Sequence, residues 1–150
     1  MRILALIAFV ALVTGCGSAI GLIVQPGDWY AGLTKASFNP PDWVFAPVWT
    51  VLYVLIGVAG WRTWFRGGLR TAAMKLWIAQ LALNFAWTPV FFGAHLPGFA
   101  LAIIVATLIT IVAFIAAAWP RDRIAAWLFV PYALWVAFAT ALNAAIVVLN

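Results

Sequence analysis

At 150 residues the chain has room for one domain, taken as 1–150. Hydrophobic residues make up 68% of it and charged residues 7%. A soluble domain has no way to cover that much apolar surface, so lipid must be the solvent. The net charge is +5, but the basic residues flank apolar runs and form no separate patch, which excludes nucleic acid as a partner. The single cysteine, Cys16, excludes an internal disulfide.

The apolar runs are continuous rather than alternating, so they predict helices and not a membrane β-barrel. Backbone polar groups in hydrocarbon must be satisfied within the chain, which favours the same choice. A bilayer core about 30 Å thick takes about 20 helical residues to cross. The expected fold is therefore all-α, an integral membrane bundle of five transmembrane helices. The spans are predicted at residues 3–24, 44–65, 75–93, 97–119 and 124–149.

Span one carries Val13-Thr14-Gly15-Cys16, which resembles a bacterial lipoprotein signal. The sequence stays apolar beyond Cys16, whereas a signal peptide has only a short apolar core. Cys16 is therefore read as a small packing residue inside the helix. Gly17 and Gly21 have the GxxxG spacing that suits close helix contacts, internal or between copies.

The connection from residue 25 to residue 42 reads QPGDWYAGLTKASFNPPD. Pro26-Gly27 stops span one, and Asn39-Pro40-Pro41 stiffens the approach to Asp42, a candidate N-cap for span two. Trp29, Tyr30 and Phe38 suit either a loop that folds back as a lid or residues resting at the membrane interface. The remaining connections are short, which predicts that consecutive helices are antiparallel neighbours. Pro47, Pro89 and Pro131 fall inside spans two, three and five, where each removes a backbone donor. No internal repeat is evident, which counts against an inverted-repeat transporter.

Orientation follows from Lys and Arg. Arg2, Arg62, Arg66, Arg70, Lys75, Arg121 and Arg123 lie on the N-terminal side, and Lys35 stands alone on the other. The N-terminus is expected inside and the C-terminus outside. The absence of a transit peptide points to a bacterial source, and the identity of the membrane is left open.

No conventional catalytic constellation or metal-ligand cluster is present. Asp28, Asp42 and Asp122 lie outside spans or at their ends, and no ionisable residue sits in mid-span. The polar residues within spans are neutral. Gln80, Asn84 and Thr88 recur every four residues with Trp87 beside them, and Trp135, Ala139 and Asn143 form a second such stripe. Trp49 and Tyr53 make a similar pair. These stripes either tie helices together or line a cavity in which aromatic walls hold a flat ligand oriented by Asn84.

Three stretches resemble the TspO/MBR family of tryptophan-rich sensory and translocator proteins. They are WYAGLTKASFNPPDWVFAPVWTVLY from Trp29 to Tyr53; Asn84-Phe85-Ala86-Trp87-Thr88-Pro89 followed by Phe91-Phe92-Gly93; and Pro131-Tyr132 through Trp135 to Ala139, Thr140, Leu142 and Asn143. The resemblance implies a five-helix bundle, commonly a homodimer, with a ligand cavity under the first long loop. It implies a receptor or sensor for tetrapyrroles such as protoporphyrin IX and haem, held as ligands with no resident cofactor or metal required. Matching positions assign Tyr30, Pro41, Trp49, Asn84, Trp87, Trp135 and Ala139 to that cavity. Light-dependent porphyrin degradation is the alternative, with Trp49 and Trp135 as the reacting residues, and transport ranks below it. The resemblance departs at Lys35-Ala36-Ser37-Phe38, where relatives often carry a proline and a tryptophan. The tyrosine and basic residue of the cholesterol motif of animal members are missing after Asn143, so no cholesterol site is expected.

Overall fold

The computed structural model describes residues 2–150. Its helices are α1 (Arg2–Ile23), α2 (Asp28–Ala31), α3 (Phe45–Gly67), α4 (Ala72–Thr88), α5 (Pro97–Ala118) and α6 (Arg123–Leu149). A 3-10 turn at Asp42–Val44 leads into α3, and a π-helical turn at Pro89–Gly93 ends α4. Five helical segments are long and apolar enough to cross a membrane: Arg2–Ile23, Asp42–Gly67, Ala72–Gly93, Pro97–Ala118 and Arg123–Leu149. The predicted spans match these within a few residues.

The outer surface is what lipid requires. Ile3, Leu22, Ile109, Leu134 and Val148 are exposed on three different spans. Trp43 at one end of the bundle and Trp127 at the other are exposed too, where indoles favour the membrane–water boundary.

Around the bundle, α1 packs on α3, α3 on α6, α6 on α5 and α5 on α4, while α4 closes the ring with lighter contacts to α1 and α3. The expectation that every short connection makes close neighbours therefore fails at one place. Helices α3 and α4 are joined by only residues 68–71, yet α3 lies mainly against α1 and α6. A bulky side chain is wedged between them: Trp77 is buried and donates its indole N–H to the Ile56 carbonyl at 2.9 Å. Gly60 makes room for that ring, because a Cβ there would collide with it.

Asp42 does not cap span two with its side chain. Pro41 holds the N-cap position with no side-chain hydrogen bond, and Asp42 opens the 3-10 turn instead. Pro47 sits in the first turn of α3, where its missing N–H has no helical partner to lose. Pro89 begins the π-helical turn, so only Pro131 lies in an α-helix interior.

Two close approaches set the α1–α3 spacing. A Cβ on Gly57 would lie 2.7 Å from the Val10 Cα, and one on Gly17 would collide with the Tyr53 ring. Gly21, the other half of the GxxxG pair, has nothing within 4 Å of its would-be Cβ. Gly17 thus serves a contact within the chain. Cys16 is half-buried within unbroken α1.

The basic end of the bundle is tied by one carboxylate. Asp122 accepts from Arg62 Nε and Nη2, both at 2.9 Å, and meets Arg66 Nε at 3.1 Å. It also caps α6 by accepting from the N–H groups of Ile124 and Ala125. Burial alone would raise its pKa, but the Arg62 hydrogen bonds, the Ala125 N–H and the charges of Arg62 and Arg66 outweigh it and lower the value below 3.8. The folded state therefore favours the ionised form. Its stabilisation is complete above the unfolded value and fades as pH falls through the lower folded one.

Asp122→Asn is expected to cost about 2 kcal/mol at neutral pH, reduced from a fully buried pair because Arg66 is half exposed. It should also remove the wild-type loss of stability at acid pH; thermal unfolding in detergent across pH checks both. Gly57→Ala should destabilise by about 1–3 kcal/mol through overpacking, while Gly21→Ala should leave the melting temperature nearly unchanged.

Candidate functional site

A cavity of about 510 Å³ lies at the end of the bundle that carries the long first connection. All five long helices contribute: Gly17, Ser18 and Gly21 from α1, Ala46, Trp49 and Tyr53 from α3, Asn84 and Trp87 from α4, Ile104 and Thr107 from α5, and Trp135, Ala139 and Asn143 from α6. Its size falls in the range of small-molecule sites.

Of the seven sequence-assigned residues, Tyr30, Trp49, Asn84, Trp87, Trp135 and Ala139 line the cavity together. Pro41 does not; its neighbour Asp42 does, and it is the one formally charged residue in the lining. The sequence reading placed Asp42 as a cap because of its position before an apolar run, and nothing in the pattern marked it as cavity wall. Gln80, from the α4 stripe, is fully buried behind the wall and absent from the lining.

The walls are aromatic and interlocked. Trp87 stacks on Phe91 at 4.9 Å, and Phe92 meets both edge-on. Trp49 lies 5.3 Å from Tyr53 and meets Tyr132 at 6.3 Å. Trp135 contacts Phe45 and Phe138. Such tilted and edge-to-face pairs hold rings rigidly and leave flat faces toward the space they enclose.

The polar groups differ in what they have left to offer. Trp87 Nε1 donates to Asn143 Oδ1 at 3.0 Å, and Asn143 Nδ2 donates to the Pro97 carbonyl at 2.9 Å. Both residues are spent on joining α4, α5 and α6. Asn84 Nδ2 donates to the Tyr132 hydroxyl at 2.8 Å, leaving its Oδ1 unmatched. Trp135 Nε1 is buried with no hydrogen-bond partner among the described residues. The hydroxyls of Thr50 and Thr107 bond back to the Ala46 and Ile103 carbonyls of their own helices.

The first connection covers this end as a packed segment. Trp29 stacks on His95 at 4.3 Å and meets Phe91 edge-on. Tyr30 meets Phe92 at 5.2 Å. His95 turns the chain with a φ of 56°, a left-handed conformation uncommon outside glycine and asparagine. Thr34 N–H donates to Asn150 Oδ1 and Asn150 Nδ2 donates to the Thr34 carbonyl, at 2.9 and 3.0 Å. Lys35 Nζ donates to the Tyr30 carbonyl at 2.7 Å and sits over the Tyr30 ring. The Tyr30 hydroxyl is raised in pKa by burial first and by the Asp42 charge second, against a lowering by Asn39. Phe38 stays largely exposed and only brushes Phe138 at 6.2 Å.

Five spanning helices around an aromatic cavity, with a packed loop over its end, define an integral membrane protein with an internal cavity. Comparison with known proteins gives that class its family. The TspO/MBR family model matches residues 7–149. The chain is 38% identical to the tryptophan-rich protein TspO of Archaeoglobus fulgidus, over 100% of this chain and 99% of that protein. It is 34% identical to the protein CrtK of Rhodobacter capsulatus over 98% and 94%, and 42% identical to the human translocator protein over 77% and 70%. This chain belongs to the TspO/MBR family.

Asn143→Leu would strand the Trp87 N–H in the bundle. It is expected to cost about 1–3 kcal/mol, and to shift the Trp87 contribution to the fluorescence spectrum; unfolding and emission spectra of Asn143→Leu and of the Trp87→Phe/Asn143→Leu pair check it, the pair recovering part of the loss.

Proposed function

We propose that this protein is a membrane receptor for tetrapyrroles, with protoporphyrin IX or haem as ligand in the aromatic cavity. The observation that carries the reading is the convergence of Trp49, Trp87 and Trp135 with Asn84 on one space of about 510 Å³. Indole faces suit a flat conjugated ring, and few polar groups remain to orient it. Porphyrin here is ligand and not resident cofactor. Light-dependent porphyrin degradation is the second reading, favoured by the presence of both Trp49 and Trp135 in the cavity lining. It differs from the first by turnover: repeated product release under light.

The orientation we infer puts the N-terminus inside and the cavity end outside. Arg62, Arg66, Arg121 and Asp122 cluster at the end away from the cavity, consistent with the positive-inside bias. A homodimer is inferred from the family resemblance.

Protoporphyrin IX titrated into protein in nanodiscs, read by tryptophan quenching, is expected to saturate. Ala139→Phe, which fills the cavity, should weaken binding at least tenfold while the melting temperature holds. Equal, non-saturating quenching in both proteins would mean partition into lipid and would overturn the receptor reading.

A further inference from the structure

Gln80 and Tyr132 are fully buried, lie outside the cavity lining, and have no part in the reading above. Three hydrogen bonds fix their direction. Gln80 Nε2 donates to the Trp77 carbonyl at 2.9 Å. A carbonyl can only accept, so chemistry decides which end of this amide is nitrogen. Gln80 Oε1 is then the end that accepts from the Tyr132 hydroxyl, at 2.9 Å. That bond uses the hydroxyl's one proton. The Tyr132 oxygen can now only accept, and it does so from Asn84 Nδ2 at 2.8 Å.

The chain ends at the cavity with Asn84 Oδ1, a carbonyl oxygen with no partner among the described residues. Turning Asn84 over would reverse every link and set Gln80 Oε1 against the Trp77 carbonyl oxygen in a fully buried position. Two facing acceptors at low dielectric are costly. Asn84 is therefore held in one orientation by groups that the ligand never touches.

Resting on the tetrapyrrole reading, we propose that Gln80 and Tyr132 are positioning residues that lock Asn84 as an acceptor, so that the cavity selects tetrapyrroles bearing an N–H at their edge. In a closed macrocycle the pyrrole N–H groups point at the ring centre, and metallation removes them. An open-chain tetrapyrrole carries lactam N–H groups at its two ends, where a side chain can reach them. The class of ligand that satisfies Asn84 Oδ1 is thus an open-chain tetrapyrrole with free lactam N–H.

The test uses biliverdin and biliverdin methylated at both lactam nitrogens, titrated into the full chain in nanodiscs beside protoporphyrin IX. Wild type should bind the N–H form about tenfold more tightly or better, the size of one unmet buried acceptor. Asn84→Leu should bring the two bilins to parity. Gln80→Leu should narrow the ratio while both still bind, because the cavity wall is untouched; Tyr132→Phe breaks the same lock and stands in if Gln80→Leu does not fold. Equal bilin affinities in wild type, with saturable binding, would overturn the inference and leave the receptor reading intact. A preference that survives in Asn84→Leu would be steric, and one at full strength in both lock variants would show no lock; either result overturns it. Saturable binding of neither bilin nor protoporphyrin would instead sink the receptor reading, and the inference with it.

Discussion

Hydrocarbon offers no hydrogen bonds, so a polar group inside this bundle is costly unless another part of the chain matches it. That constraint explains why the few polar side chains on the spans do so much of the joining. Trp77 bonds α4 to a carbonyl of α3. Gln80, Tyr132 and Asn84 join α4 to α6 in a directed chain. Trp87, Asn143 and the Pro97 carbonyl bring in α5. Thr63, Thr107, Thr110 and Thr140 turn inward on their own helices and bond to the carbonyl four residues back. Helix α4, though only lightly packed on α3 and α1, is the element through which most of the bonds between helices pass.

Small residues decide where the bundle closes and where it leaves room. Gly57 against Val10, Gly60 against Trp77 and Gly17 against Tyr53 bring backbones and rings into contact from the basic end to the middle of the membrane. Beyond Gly17 no such contact recurs on α1, and Gly21 faces open space. The cavity begins there. On the basic side, Phe114, Phe129 and Tyr132 fill the same axis completely, each with no exposed surface. One end of the bundle is thus a packed core and the other a lined cavity.

Composition made the five spans readable, because the bilayer demands length and apolarity and both are local properties. Cavity residues were readable where they share a helix face, as with Trp135, Ala139 and Asn143. The α4 stripe shows the limit of that reading. Residues four apart on an α-helix advance by about 40° per step, so from Gln80 to Thr88 the face turns by about 80°. Gln80 therefore ends behind the wall while Asn84 and Thr88 line it. Contacts between distant positions leave no periodic trace: Arg62 and Asp122 are 60 residues apart. The same holds for Tyr132, whose role comes from partners on α4 some fifty residues away. Asp42 had a plausible local role as a cap, and that local role hid its place in the cavity wall.

The two boundaries of the cavity are built differently. The loop side is held by paired Thr34–Asn150 bonds, the Trp29–His95 stack and the Tyr30 contacts with Phe91 and Phe92. Between α1 and α3, by contrast, the lining residues Ser18, Gly21, Ala46 and Thr50 carry short side chains or none, and each is exposed. A loop clamped by directional bonds opens only by breaking several at once. No hydrogen bond joins α1 to α3 among the described residues, and what holds them together is close packing, with Gly57 against Val10 and Gly17 against Tyr53.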